Sequence, residues 1–364
     1  MSASELFLGI MSGTSADGID VALVDFSQVK PRLVATRYAK FTAALREQVL
    51  RLQLPQENEL HIAARTANDL THAYVECAAG LLAQAGLQST QVRAIGCHGQ
   101  TIRHRPDAGY TLQIVNGSLL AELTKITVVC DFRSRDIAAG GEGAPLVPAF
   151  HAAVFSDPNI HRAILNIGGI ANVTNLPPGG AVTGFDTGPG NVLLDAWAEQ
   201  HLGASQDEGG AWARKGRVDT ALLNRLLGHP FFSRPPPKST GRETFSLAWL
   251  NTLLTGMESP QDVQATLVEL TAQSVARALR DHHAGVEEIY VCGGGAHNSA
   301  LVAAIAAAGD FTLSTTERLG FGPDWVEACA FAWLARRTLR GESGNLPAVT
   351  GARGTRVLGA IYLA

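Results

Sequence analysis

Residues 6–26 read LFLGIMSGTSADGIDVALVDF. Two apolar runs, LFLGIM and IDVALVDF, flank a tip of small, hydroxylated and acidic residues from Ser12 to Asp17. Apolar runs of this length bounded by turn residues predict consecutive antiparallel strands, and RLVATRYAKF reads as a third. The tip itself admits two readings. Glycine in a hairpin turn is ordinary. Converging backbone N–H groups, a glycine without Cβ and the hydroxyls of Thr14 and Ser15 also suit an anion such as a phosphate.

The design recurs at Ala163, about one domain length further on. AILNIGGIANVTNL is again an apolar strand, a Gly-Gly tip at Gly168 and Gly169, and a second apolar strand. A third glycine site, VCGGGAHN with Gly293, Gly294, Gly295 and Asn298, follows a strand and precedes a helix. It leaves room for a flat ring against the backbone. Between these landmarks strands and helices alternate. Helical periodicity covers 42–54 and 59–86, where Ala63, Ala67, Leu70, Ala73, Cys77 and Leu81 form a stripe. VRAIGCHG and ITVVCDF are short buried strands with polar groups at their C-terminal ends, where ligands bind in open α/β sheets. Further helices are expected at 191–201, 218–228, 245–255, 261–283, from Asn298, and at 324–340, with EIYVCGGG and DFTLS as strands. The fold expected is α/β, with two similarly built domains, 1–160 and 161–364. Each is a mixed sheet that opens with a β-hairpin and is flanked by helices.

Composition narrows the function. Of 364 residues 46% are hydrophobic and 17% charged, which describes a folded protein with a large core. A net charge of −4 argues against nucleic acid or an anionic membrane surface as partner. No apolar run is long enough to span a bilayer, and the N-terminus lacks the pattern of a signal peptide. The five cysteines are scattered and mostly set in apolar runs, as expected of reduced core thiols in a cytoplasmic protein. GxxxxGK[ST], a GxGxxG after a strand, HExxH and GxSxG are all absent, which excludes the P-loop and disfavours dinucleotide binding.

Two phosphate loops and a nucleoside pocket suggest phosphoryl transfer, which needs an anchored triphosphate with Mg²⁺, an acceptor and usually a base. Asp186 in GFDTGPGN is the candidate base: it ends an apolar strand, and Gly188, Pro189 and Gly190 turn the chain into a helix that Asn191 would cap. An aspartate before a glycine turn is also a common turn former. His98 and Gln100 in CHGQTIRH could donate hydrogen bonds to a polar substrate. Asp131, Arg133 and Asp136 follow the strand ITVVC, and the fork of Arg133 suits a carboxylate. Glu327 opens the last long helix, where the helix dipole alone would favour an acid. The Pro-rich loop SRPPPKSTGRETF (233–245) can be neither helix nor strand at its core and is a candidate lid, whose Lys238 and Arg242 could reach phosphates on closure.

The segments MSGTSADGID, CHGQTIRH, DFRSRDIAAGGEGAPLVPAFH, LNIGGIANVTNL, GFDTGPGN, PPKSTGRE and CGGGAHN, in this order and followed by GARGTRVLGAIYLA, resemble the anhydro-N-acetylmuramic acid kinase family. That family belongs to the actin, hexokinase and Hsp70 ATPase superfamily. The resemblance implies two ribonuclease H-like domains around an ATP cleft. The first carries a phosphate loop (Gly13, Thr14, Ser15, Ala16, Asp17, Gly18, Ile19, Asp20) and part of the sugar site. The second carries the other loop (Gly168, Gly169), the catalytic Asp186 and the adenosine loop (Gly293, Gly294, Gly295, Asn298), with its C-terminal helix or tail packing back on the first.

It implies further that His98, Gln100, Arg133, Asn191 and Glu327 contact the sugar, Arg133 through a lactyl carboxylate. Water would attack the anomeric carbon while the bridging oxygen takes the γ-phosphoryl group, in the recycling of cell-wall sugar by a cytoplasmic homodimer. Ala16, Cys97 and Glu142 depart from the usual pattern. Met11 stands where the superfamily often has an aspartate, so Mg²⁺ falls to another group, Asp17 or Asp20. Two other readings stay open at this stage: a kinase for another sugar or a carboxylate, and a nucleotide-switched binding module.

Overall fold

Both apolar runs around the first tip are strands. β1 (Leu6–Met11) and β2 (Gly18–Asp25) pair antiparallel from Leu6↔Asp25 to Met11↔Asp20. All six residues of β1 are buried, as expected of a central strand covered on both faces. β3 (Arg32–Lys40) continues the meander. The computed structural model describes residues 5–13 and 16–364. Thr14 and Ser15, expected in the first phosphate loop, lie outside the described residues.

The chain then forms α1 (Ala43–Leu52), α2 (Glu59–Ala85), β4 (Val92–Cys97), β5 (Gln100–Arg105), β6 (Tyr110–Ile114), α3 (Gly117–Thr124), β7 (Val128–Cys130), α4 (Ser134–Ala138) and α5 (Val147–Phe155). The buried face of α2 includes Leu70, Tyr74, Cys77 and Leu81, and Gly86 ends the helix in the left-handed conformation. Next come β8 (Arg162–Ile167), β9 (Ile170–Leu176), β10 (Thr183–Pro189), α6 (Val192–Leu202), α7 (Thr220–Leu227), α8 (Pro230–Ser233), α9 (Leu247–Leu253) and α10 (Pro260–His282). Helix α10 starts on a Ser259 cap with Pro260 in its first turn. The chain ends with β11 (Glu288–Cys292), α11 (Ser299–Gly309), β12 (Leu313–Thr315), α12 (Val326–Leu339), α13 (Pro347–Thr350) and β13 (Ala360–Tyr362). Among the described residues no helix is long and apolar enough to cross a membrane.

Two compact units result: Met1–Val154 with Asp324–Ala364, and Phe155–Pro323. In the first, the sheet order is β13-β7-β4-β1-β2-β3; in the second it is β10-β9-β8-β11-β12. In each, an antiparallel three-strand meander is followed by two parallel strands beside its first strand. Both units therefore have the ribonuclease H-like arrangement of the actin/hexokinase fold. Leu8, Ile10, Val21, Tyr74 and Ile95 belong to the core of the first unit, and Leu165, Val173, Phe185, Leu267 and Val291 to that of the second.

The segment from Asp324 belongs to the first unit, so the boundary at 161 does not divide the chain once: the first unit is built from both ends. α12 is apolar nearly all round, with Val326 and Ala328 to Ala335 buried, and it packs on β1, β2 and β4. Gly9 and Gly96 are register partners under it. A Cβ on Gly9 would stand 1.7 Å from the Ala328 carbonyl oxygen, and one on Gly96 1.9 Å from that of Phe331. Only glycine at both positions lets the helix backbone lie this close to the sheet.

Candidate active site

In the first unit, the ends of β1, β4 and β7 and the start of α12 bring several of the expected residues together. Ser12 is buried; its hydroxyl lies 2.8 Å from the Tyr74 hydroxyl and donates to the Gly99 carbonyl at 3.2 Å. The amide of Gln100 donates to the Gly13 carbonyl at 3.0 Å, and the Ala16 N–H donates to the same oxygen at 3.1 Å. Gln100 thus braces the tip from β5, while its own buried Oε1 has no hydrogen-bond partner among the described residues.

Arg133 donates through Nε and Nη2 to Nε2 of His98, at 3.2 and 2.9 Å, and through Nη1 to the Gly143 carbonyl at 2.8 Å. His98 is therefore neutral with Nε2 as acceptor, and burial beside the guanidinium holds its pKa down at about 3. It is not the sugar-facing donor the sequence suggests at that nitrogen; it orients Arg133. Asp136, fully buried, accepts from the Gly143 N–H, Asn345 Nδ2 and Thr350 Oγ1, and so fixes the loop whose carbonyl Arg133 grips.

The half-buried Glu327 carboxylate takes no hydrogen bond from any described residue. Its pKa is raised by burial, with Arg133 pulling the other way. Asp20 at the start of β2 is half-buried as well. Burial first, then the charges of Asp17, Glu327 and Asp324, push its pKa up to about 7. Asp17 is exposed, and its carbonyl accepts from Tyr38 Oη and the Phe41 N–H. Gly18 and Ile19 are buried at the start of β2. Asp131 has a left-handed backbone and accepts from Ser134 Oγ at 2.5 Å.

In the second unit, the Gly168-Gly169 tip joins β8 to β9. The Gly168 carbonyl accepts from the Asn191 N–H, and the Gly169 carbonyl from the N–H groups of Gly190 and Val192. A Cβ on either glycine would make nothing closer than ordinary van der Waals contact, so the outer side of the tip is open. Asn191 does not cap α6 as expected: its side chain donates to the Ile167 carbonyl at 3.3 Å, because the tip of the neighbouring hairpin claims it. In the third glycine site, Gly294 borders open space, whereas a Cβ on Gly293 or Gly295 would collide with Asn166 or Ile167 at the end of β8. Asn298 Oδ1 accepts from the Leu301 N–H and caps α11.

Asp186 lies within β10, not at its end. The strand continues through a bulge at Thr187 to Pro189, with Asp186 opposite Asn172. The Pro-rich loop, without helix or strand between Ser233 and Leu247, docks along it. The Asp186 N–H donates to the Lys238 carbonyl at 3.1 Å, and the Thr240 N–H donates to Asp186 Oδ2 at 2.9 Å. Oδ1 takes no hydrogen bond from a described residue. Burial raises the Asp186 pKa to about 7 against the opposing pull of the Thr240 N–H and Lys238. A carboxylate half-ionised near neutral pH with one free oxygen is suited to accept a proton. Lys238 does not extend toward solvent: its ammonium is buried, donates to the Phe231 carbonyl at 3.2 Å and stands 4.7 Å from the Phe231 ring centre.

A model of the family described as anhydro-N-acetylmuramic acid kinase matches residues 5–364. The chain belongs to the anhydro-N-acetylmuramic acid kinase family. It is 55% identical over 359 residues to the anhydro-N-acetylmuramic acid kinase of Nitrosospira multiformis, covering 98% of each chain. With that of Thiobacillus denitrificans it shares 56% over 366 residues, or 99% of this chain and 97% of the relative. It is a kinase, and so a phosphotransferase, of that family. The residues least visible in the sequence are those acting through the backbone, Thr240 and Gly143, because a main-chain donor or acceptor leaves no mark on residue type.

Proposed function

We propose that this chain phosphorylates 1,6-anhydro-N-acetylmuramic acid at the expense of ATP and opens its anhydro ring with water. Asp186 is the general base. Its Oδ1 takes a proton from the attacking water as the bond to the anomeric carbon forms. The bond from that carbon to the bridging oxygen breaks, and the bridging oxygen accepts the γ-phosphoryl group. The products are N-acetylmuramic acid 6-phosphate and ADP. The supporting observation is the Asp186 carboxylate itself, raised to about 7 and held by Thr240 at one oxygen only.

The open tip at Gly168 and Gly169 and the braced tip from Gly13 to Asp20 suit phosphate oxygens, and Gly294 suits a nucleoside face. Arg133, fixed by His98 and the Gly143 carbonyl, is the partner for the lactyl carboxylate, with Glu327 and Gln100 as acceptors for sugar N–H or O–H groups. Among the described residues no three His, Cys, Asp or Glu side chains form a ready metal cage. The charge crowded around Asp20 fits a Mg²⁺ carried in with ATP, which needs only one or two carboxylates besides phosphates. Asp20 would hold it, with Asp17 at hand; the ion would neutralise charge on the transferring phosphoryl group. We read the protein as a cytoplasmic homodimer serving cell-wall recycling.

Asp186→Asn tests the base. Turnover with the anhydro sugar should fall by about 10²–10⁴-fold while ATP affinity stays unchanged. In the parent enzyme kcat/KM should rise with pH through about 7 and then level off, because the protonated carboxyl below that pH cannot accept a proton. Unchanged turnover in the variant would favour an acceptor that needs no base, such as a carboxylate.

A further inference from the structure

Phe185 and Asp186, adjacent on β10, point to opposite faces of the strand. On the Phe185 side the second unit has a cavity of about 320 Å³, lined by Thr187 and Phe232, by Lys238, and by Ser274, Arg277 and His282 of α10, with Asp281 also on its wall. Lys238 as a residue is nine-tenths buried, and its Nζ lies 5.9 Å from the Phe185 ring centre. It forms no ion pair with a described residue, although the Asp186 charge acts on it. Among the described residues its one hydrogen-bond acceptor is the Phe231 carbonyl, so two N–H donors of the ammonium have no acceptor there. Arg277 has no ion pair either, although Asp281 is one helical turn away. Arg234 is a further cation near Lys238: after burial it contributes most to lowering the Lys238 pKa. Cations thus outnumber the single carboxylate of the cavity wall. A buried, unpaired ammonium is costly, and its cost is relieved by an anion of matching size.

We propose that this cavity is a binding site for a small phosphate dianion, inorganic phosphate or a phosphate monoester, held by Lys238, Arg277 and His282 and coupled to Asp186 through residues 238–240. The coupling is short. The side chain of Lys238 lines the cavity, its carbonyl accepts from the Asp186 N–H, and two residues later the Thr240 N–H holds Asp186 Oδ2. An anion that draws the ammonium off the Phe231 carbonyl pulls on the loop that positions the carboxylate. It also cancels the positive charge that favours ionised Asp186. Occupancy therefore lowers turnover near neutral pH and moves the rising limb of the rate profile to higher pH. This coupling rests on the reading of Asp186 as base; binding itself does not.

The test is calorimetric titration of the full chain, without nucleotide, with inorganic phosphate and separately with a hexose 6-phosphate. We expect one saturable site for at least one of them, weakened tenfold or more in Lys238→Met and in the double variant Arg277→Ala/His282→Ala, and retained without weakening in Asp186→Asn, since the coupling is reciprocal. Tighter binding of one titrant names the source. In turnover assays, the bound anion should lower the rate to a plateau that excess ATP does not relieve. The double variant, altered only at exposed positions, should keep its anion-free rate and lose this response. Absence of saturable binding, binding indifferent to both variants, or inhibition fully relieved by ATP would each overturn the proposal. Full activity of Asp186→Asn would instead defeat the base reading and leave the binding result standing.

Discussion

Arg133 and His98 form a single device at the residue scale. A guanidinium offers five donors, of which two lie on the His98 ring nitrogen and one on the Gly143 carbonyl, leaving a fixed fork for a ligand. Lysine cannot hold two protein acceptors and a carboxylate in one plane. Arg133→Lys should therefore raise KM for the anhydro sugar by about 10- to 100-fold, the worth of a charge-assisted hydrogen bond, with a smaller effect on kcat. Steady-state kinetics with a substrate analogue lacking the lactyl carboxylate decides the cause, since parent and variant should then have similar KM. The place of Arg133 after a buried strand was legible. That His98 serves it was not, because the pairing joins the ends of two strands far apart in sequence.

Among the elements, α12 and the sheet beneath it meet backbone to backbone. Gly96→Ala should destabilise the protein by about 1–3 kcal/mol or more through overpacking against the Phe331 carbonyl. It should also depress turnover, because the displaced helix carries Glu327 in its first turn. Urea unfolding and turnover measured on the same preparation check both effects; an unshifted midpoint would show that the helix yields freely. The long helices and the two opening hairpins were legible because their periodicity is local. The β5–β6 hairpin was not, since QTIRHR and YTLQI are short and carry polar residues. β10 was read too short because Gly188 and Pro189 look like a turn. Pro189 is tolerated in it because β10 closes the sheet at that edge.

For the whole molecule, three buried histidines work against stability in acid. His98 and His151 are held at about 3 and His283 at about 4, chiefly by burial, so all stay neutral in the folded state. In the unfolded chain they take up protons below about 6.5, so stability is intact above that pH and falls as pH drops toward the folded values. Each contributes up to about 1.4 kcal/mol per pH unit. Asp20 and Asp186, held up at about 7, act in the opposite sense over the same range, so the test compares two chains: between pH 7 and pH 5 the urea midpoint of His151→Phe should fall less, or rise more, than that of the parent. Two similarly built domains were legible from the repeated hairpin tip. The return of residues 324–364 to the first of them was expected from the family resemblance and not from residue pattern, since an apolar helix announces burial without naming the sheet it covers. That return has a consequence for biosynthesis. The first sheet leaves the ribosome with its glycine notch uncovered and β7 unpaired on one edge, and waits while some two hundred further residues are made, about 10–40 s at ordinary elongation rates. Residues 155–323 are contiguous and have no such wait, so the half of the enzyme translated second is the one free to fold first.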